Sequence, residues 1–470
     1  LGLPALTAMV VGSMVGAGVF SLPRNFAMAT GVYGALIAWA IAGTGMLMLA
    51  FVFQQLALRK PGLDAGVYAY AKAGFGEFPG FFSAFGYWAS ACVGNVTYWT
   101  LIRSTLGLLF PGIGEGEALS AVLASVAGVW LFNYLISRGV SSAAIVNQIV
   151  TIAKIVPILV FIVIVAVTPR SPVFGGNLWG GGVGEGLFEQ VRQTMLLTVF
   201  VFIGVEGASV YSRYARRRKD VGRATLLGFL SVLALFASVT VLSYGALPGS
   251  DLAGLQQPSM AGVLESVVGS WGTRLVGLGL IISVLGAYLA WTLMAAEVLF
   301  IAAKDGDMPR FVNRTNRHAA PISALVLTSV VVTVFLFVSM FSEDAFTFTL
   351  ELCSALVLIP YLLSAAYALK LAVTGETYAS GDVTEPESRR RELVIAALAT
   401  LYTAFLIVGA GPEYLLLSCV IYVPGTILFA MTRRERGKRV FTPPEAMLFG
   451  LIVLGAIAAI VCLATGIIVI

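Results

Sequence analysis

Thirteen stretches of about twenty predominantly apolar residues, each long enough to cross a bilayer as helix, divide this chain and leave almost nothing from which to build a water-soluble domain. They run near 3–23, 32–58, 77–110, 118–137, 142–168, 191–213, 225–247, 272–302, 322–341, 345–372, 392–409, 413–432 and 444–468. Apolar residues make up 59% of the 470 and charged ones only 11%, about half the share of a soluble domain, so lipid must be the main solvent. The expected class is an all-α polytopic membrane protein. The first span lacks a basic start followed by a small-residue cleavage site, so it reads as a retained span. Because the chain opens at Leu1 directly on apolar residues, a trimmed cytoplasmic head is expected before it.

Loop charges orient the spans. Most of the 29 Lys and Arg fall in loops after even-numbered spans, including Arg216, Arg217, Arg218 and Lys219, and Arg433, Arg434, Arg436, Lys438 and Arg439. The opposite loops carry only Arg24, Arg170, Arg192 and Arg274, beside acids such as Glu115, Glu117, Asp251, Glu343 and Asp344. By the positive-inside rule the basic loops are cytoplasmic, which puts the N-terminus inside and, with thirteen spans, the C-terminus outside. Topology and anionic headgroups account for the net charge of +5, so no nucleic-acid partner is implied. The longest cytoplasmic connection, 373–391, reads as a polar linker.

Several chemistries lack their parts. Cys92, Cys353, Cys419 and Cys462 lie in apolar runs without metal-type spacing, and the one histidine, His318, sits in a charged loop. No phosphate loop, HExxH or GxSxG occurs, which argues against an ATP-driven pump and common hydrolases. No metal or cofactor is implied. A membrane-embedded enzyme needs a nucleophile and base at one depth, a channel a repeated selectivity ring, and a sensor an attached soluble module; none is visible.

Two spans are interrupted in a related way. The first contains Gly12-Ser13-Met14-Val15-Gly16-Ala17-Gly18-Val19-Phe20 before Pro23, and the sixth contains Phe202-Ile203-Gly204-Val205-Glu206-Gly207-Ala208-Ser209. Each mid-helix glycine is unfavourable by about 1 kcal/mol, so such clusters invite unwinding. Gly12 and Gly16 also fit a GxxxG packing face, which explains either span taken alone. Their separation by five spans favours an inverted-repeat transporter that binds substrate at the breaks.

Gly16-Ala17-Gly18-Val19-Phe20, Gly66-Val67-Tyr68-Ala69-Tyr70, Tyr87-Trp88 with Gly94-Asn95, Phe202-Ile203-Gly204-Val205-Glu206, Trp291-Thr292-Leu293 running to Lys304-Asp305-Gly306, and Pro360-Tyr361 carry a resemblance over nearly the whole chain. Together they resemble the amino acid, polyamine and organocation transporter superfamily, particularly its basic amino acid and polyamine antiporters of arginine/ornithine and arginine/agmatine type. The resemblance implies a LeuT-type fold: a ten-span core over 1–372 in two inverted repeats, 1–168 and 191–372, then the linker and extra spans over 392–470. Members usually have twelve spans, so a thirteenth departs from the pattern. A homodimer is the assembly suggested by analogy.

The resemblance also implies a site for small cationic amino acids. Unwinding at Gly16, Ala17 and Gly18 frees N–H groups for the carboxylate, while carbonyls near Ser13 to Gly16 and around Phe202 and Ile203 receive the ammonium. Trp291, Asn95, Tyr98 and Cys353 surround the side-chain cation, although Asn95 and Cys353 are equally readable as packing residues. Phe200 stands where the arginine/agmatine branch has a gating tryptophan. Glu206 is implied to couple protonation to gating, with Tyr87 and Tyr361 closing the path; a carboxylate at mid-bilayer is unfavourable by about 2.5 to 3.5 kcal/mol unless protonated, paired or wet. Lys154 replaces the sodium site of other relatives, either as a fixed ammonium brace or as a proton carrier. Glu297 reads either as snorkelling or as attracting cations, and Arg103 and Glu351 as residues of the outer surface. Exchange and proton-coupled uptake both fit.

Overall fold

A computed structural model of the protein describes residues 3–63, 66–110, 119–138, 143–168, 171–180, 186–206, 218–318, 320–342, 344–378 and 386–468, which form helices and connections without a strand. Gly207-Ala208-Ser209, Glu115, Glu117, Arg170, Arg216, Arg217 and Glu343 lie outside them, as do the side chains of Arg218 and Lys219.

Among the described residues, nine helices are long and apolar enough to cross a membrane. They belong to α3 (Val32–Arg59), α6 (Leu119–Ser137), α10 (Arg218–Ala246), α13 (Ser270–Lys304), α14 (Ile322–Val338), α15 (Ala345–Thr374), α16 (Pro386–Gly409), α17 (Gly411–Glu435) and α18 (Pro443–Ala464). The protein is therefore an all-α, multi-pass membrane protein. The other four expected spans correspond to the interrupted pair α1 (Leu3–Met14) and α2 (Leu22–Ala29), to α5 (Glu77–Leu109), to α7 (Ala143–Ala166) and to α9 (Leu187–Phe202), which stops at its glycine cluster.

Helix α5 explains its own modest apolarity. It is buried almost throughout, so its neighbours are other helices rather than lipid, and polar side chains can pair across the contacts. Trp88 Nε1 donates to Thr328 Oγ1 on α14 at 2.9 Å, and the Thr97 hydroxyl donates to Thr349 Oγ1 on α15 at 3.0 Å. Small residues let aromatic ones approach. The Tyr422 hydroxyl of α17 lies over Gly86, where a Cβ would stand 2.0 Å from it. Outer faces show the opposite composition, with Val163, Leu401 and Leu451 more than half exposed, as lipid contact requires.

Charged residues collect beyond the two ends of the bundle. At one end Arg59 pairs with Glu392, Lys438 Nζ lies 2.7 Å from Glu77, and the Arg433 guanidinium lies 2.8 Å from Glu445. There a short helix that sequence periodicity did not separate from its loop, α4 (Val67–Phe75), docks on the residues after α13: the Tyr68 hydroxyl donates to Asp307 at 2.6 Å and Lys72 Nζ to the same carboxylate at 2.5 Å. At the other end Arg24 pairs with Asp344 at 2.9 Å, beside the short helices α11 (Gly249–Ala253) and α12 (Ser259–Val268). Another short helix, α8 (Ser171–Gly176), follows α7.

Candidate substrate site at the two helix breaks

The first break lies where the glycines predicted it. The helical bonding of α1 ends with Val15 N–H donating to the Val11 carbonyl, and the chain resumes as a 3-10 turn over Gly18–Ser21 before α2. Pro23, in the first turn of α2, lacks the N–H that such a turn leaves unused. In the sixth span Ile203 and Val205 donate back three residues only, and Gly204 adopts φ +106°, where an L side chain is strained. The two breaks touch: a Cβ on Gly204 would stand 2.4 Å from the Ser13 carbonyl oxygen.

Beside this crossing is a pocket that collects most of the expected residues. Gly16, Ala17 and Gly18 come from the first break, Tyr98 from α5, Phe200 and Ile203 from α9 and its end, Trp291 from α13 and Cys353 from α15. The space is contracted to about 30 Å³, room for one water, so a substrate enters only if the surrounding helices part. Phe200 and Val201 close over Gly18, where an added Cβ would lie 3.0 Å from the Phe200 ring and 2.6 Å from Val201.

Asn95 is not on the wall. Its amide donates to Thr292 Oγ1 at 3.1 Å, one residue past Trp291, so it braces α5 against α13; its Oδ1 is buried without a hydrogen-bond partner among the described residues. Ser90, Ala91 and Gly94 are on the wall and were not predicted. Ser90 Oγ donates to the Cys353 carbonyl at 2.8 Å and sits 3.3 Å from its thiol, joining α5 to α15. The period-four series Ser90, Gly94, Tyr98 was the available signal, since it puts all three on one face of α5.

Glu206 lies beside the pocket, towards the ends of α5 and α15 marked by Glu77 and Thr374. Tyr87 donates to its Oε1 at 2.6 Å, Tyr361 to its Oε2 at 2.7 Å, and the Gly204 N–H to Oε2 at 3.1 Å. A carboxylate, two phenols and a broken helix thus form one buried junction between α5, α9 and α15. The Tyr87 hydroxyl also lies 3.1 Å from Met294 Sδ, and its ring centroid is 6.3 Å from that of Trp291. Pocket and junction therefore share a wall.

Lys154, only 5% exposed on α7, donates from Nζ to the Gly12 carbonyl at 2.5 Å. That carbonyl stands four residues before Gly16, so it has lost its helical donor at the break, and the ammonium supplies a replacement. Glu297 is exposed on α13, further from the pocket towards Lys304. Arg103 is buried and donates to Thr100 Oγ1 at 3.2 Å, and Glu351 is half-buried and lines a separate cavity with Tyr414. Among the described residues no His, Cys, Asp and Glu group is arranged to hold a metal ion.

Residues 1–410 match the family of amino acid permeases. The chain is 48% identical to an arginine/ornithine antiporter of Pseudomonas aeruginosa, covering 98% of this chain and 96% of that protein. It is 43% identical to an L-lysine transport protein of Corynebacterium glutamicum, covering 98% and 94%. An arginine/agmatine antiporter of Chlamydia pneumoniae is 35% identical over 99% and 97%. These full-length similarities include α17 and α18, which the family match leaves out.

Proposed function

The chain belongs to the amino acid permease family, and from that premise we propose that it exchanges cationic amino acids such as arginine, ornithine or lysine across the cell membrane, without sodium, by alternating access. It is a transporter and not an enzyme.

The observation that carries the reading is the meeting of two broken helices at one pocket that also contains Trp291. Freed backbone N–H groups at Gly16, Ala17 and Gly18 suit a substrate carboxylate, freed carbonyls suit its ammonium, and an indole suits a second cation. Tyr98, Ile203 and Cys353 complete the wall, Phe200 covers it, and Asn95 acts by holding the Trp291 segment. Glu206, with Tyr87 and Tyr361, is the gate that responds to protonation. Lys154 is the fixed cation at the break. The 5+5 repeats over 1–168 and 191–372, thirteen spans, a cytoplasmic N-terminus, an external C-terminus and a homodimer complete the proposal.

Proteoliposomes loaded with radiolabelled arginine test it. External arginine, ornithine or lysine should drive efflux far better than leucine or alanine, and sodium should be dispensable. Equal stimulation by neutral amino acids would remove the cationic assignment; efflux without any external substrate would replace exchange by proton-coupled transport.

A further inference from the structure

A second, larger cavity opens at the end of the bundle marked by the Arg24–Asp344 ion pair, between α2, α9, α15 and the joint of α16 with α17. Its volume of about 430 Å³ lies within the range of small-molecule pockets, roughly 300–1,000 Å³, whereas the pocket at the breaks is contracted. One side of the floor is Leu196 and Leu197 of α9. Phe200 and Val201, one helical turn further on, belong to the central pocket. A rise of 1.5 Å per residue puts the two spaces about 6 Å apart along the same helix.

The wall facing that floor is acidic. Glu351 of α15, half-buried, lines it beside Tyr414, and Glu413, exposed, lies at the start of α17. The cation on the wall, Arg192, is already engaged: its guanidinium binds Glu189 and donates to the Gly409 carbonyl at 3.0 Å. Thr347 Oγ1, on the same wall, is shielded from solvent and has no hydrogen-bond partner among the described residues. The cavity thus offers two carboxylates and an apolar floor to a molecule with a cationic head and an aliphatic stem.

We propose that this cavity is a second binding site, one that holds the guanidinium or ammonium end of an incoming cationic amino acid before Phe200 and Val201 part to admit it. It rests on the functional reading above and extends it with a waiting position. Glu413, the exposed carboxylate of the pair, acts over a distance set by ionic strength, so the site raises the rate of capture most at low salt.

Equilibrium binding of radiolabelled arginine to the purified full-length protein should give two sites. The double variant Glu351→Gln, Glu413→Gln should retain the central site alone, and Trp291→Ala should weaken the central site while leaving the second. In exchange assays the double Gln variant should raise KM for external arginine about five-fold at low salt, and high salt should erase its difference from the parent. A melting temperature matching the parent's will show that the variant is folded. One site in the parent, or a double variant equal to the parent in both stoichiometry and KM, would overturn the proposal while leaving arginine exchange standing. Absence of arginine exchange in the parent would instead strike the functional reading itself.

Discussion

Gly204 meets the Ser13 carbonyl where the two broken helices cross, so closely that a methyl group in place of hydrogen would stand 2.4 Å from that oxygen. The contact is with backbone on both sides, and no rotamer change relieves it. Gly204 also holds φ +106°, which an L residue adopts at a strain of order 1–3 kcal/mol. Gly204→Ala should therefore lower thermal stability and abolish exchange together. Gly16→Ala is the control, because its Cβ would meet the Tyr98 hydroxyl at an ordinary 3.7 Å. That variant should melt like the parent and lose affinity for substrate only. Equal melting temperatures for both variants would show that the crossing tolerates separation.

Trp291→Ala should weaken arginine binding by about 1 to 2 kcal/mol through loss of a cation–ring contact, and Trp291→Phe should keep part of it. Competition binding with arginine reads this directly. The indole also neighbours Tyr87, so a packing role alone would change stability in both variants without changing the affinity of correctly folded protein.

Glu206 receives two phenol hydrogens and one backbone N–H, an arrangement suited to a carboxylate. Protonation would turn one oxygen into a donor and loosen either Tyr87 or Tyr361. Glu206→Gln imitates the protonated form and should flatten the pH profile of exchange while retaining binding. Glu206→Ala should lose more, because it leaves two buried phenols unpaired, at about 1–3 kcal/mol each. A Gln variant with the parent's pH profile would end the gating role.

Much of this site was legible because membrane insertion imposes a length rule and because glycines in a long apolar run have few other uses. The breaks at Gly16–Gly18 and Gly204, and the positions of Trp291 and Glu206, follow from those rules and the family resemblance. Rotation of a helix about its axis does not. Asn95 shares α5 with Tyr98, yet it turns to Thr292, and Ser90 occupies the wall that Asn95 was expected to line. Contacts between distant loops were equally hidden. Tyr68 and Asp307 are 239 residues apart, and the helix that joins them, α4, is too short to declare itself by periodicity.

Lys154 separates two accounts of ion coupling, because its ammonium donates to the Gly12 carbonyl, the first of those that the break of α1 deprives of a helical partner. A brace must stay charged throughout the cycle. Lys154→Ala should then give poor turnover, with partial rescue by high external sodium or potassium, which could enter the vacated cation site. A carrier must release its proton in one conformation, so arginine influx would acidify the vesicle interior. The hydrogen bond to a backbone carbonyl favours the brace, since a neutral amine is a weaker donor to that oxygen. Lys154→Arg discriminates further, because a guanidinium keeps its charge at any working pH. It should preserve a substantial part of exchange, without proton movement, if charge alone is required; complete loss in a variant that melts like the parent would point to a carrier. Sodium should leave the parent's rate unchanged, and strong stimulation by sodium would contradict brace and carrier alike.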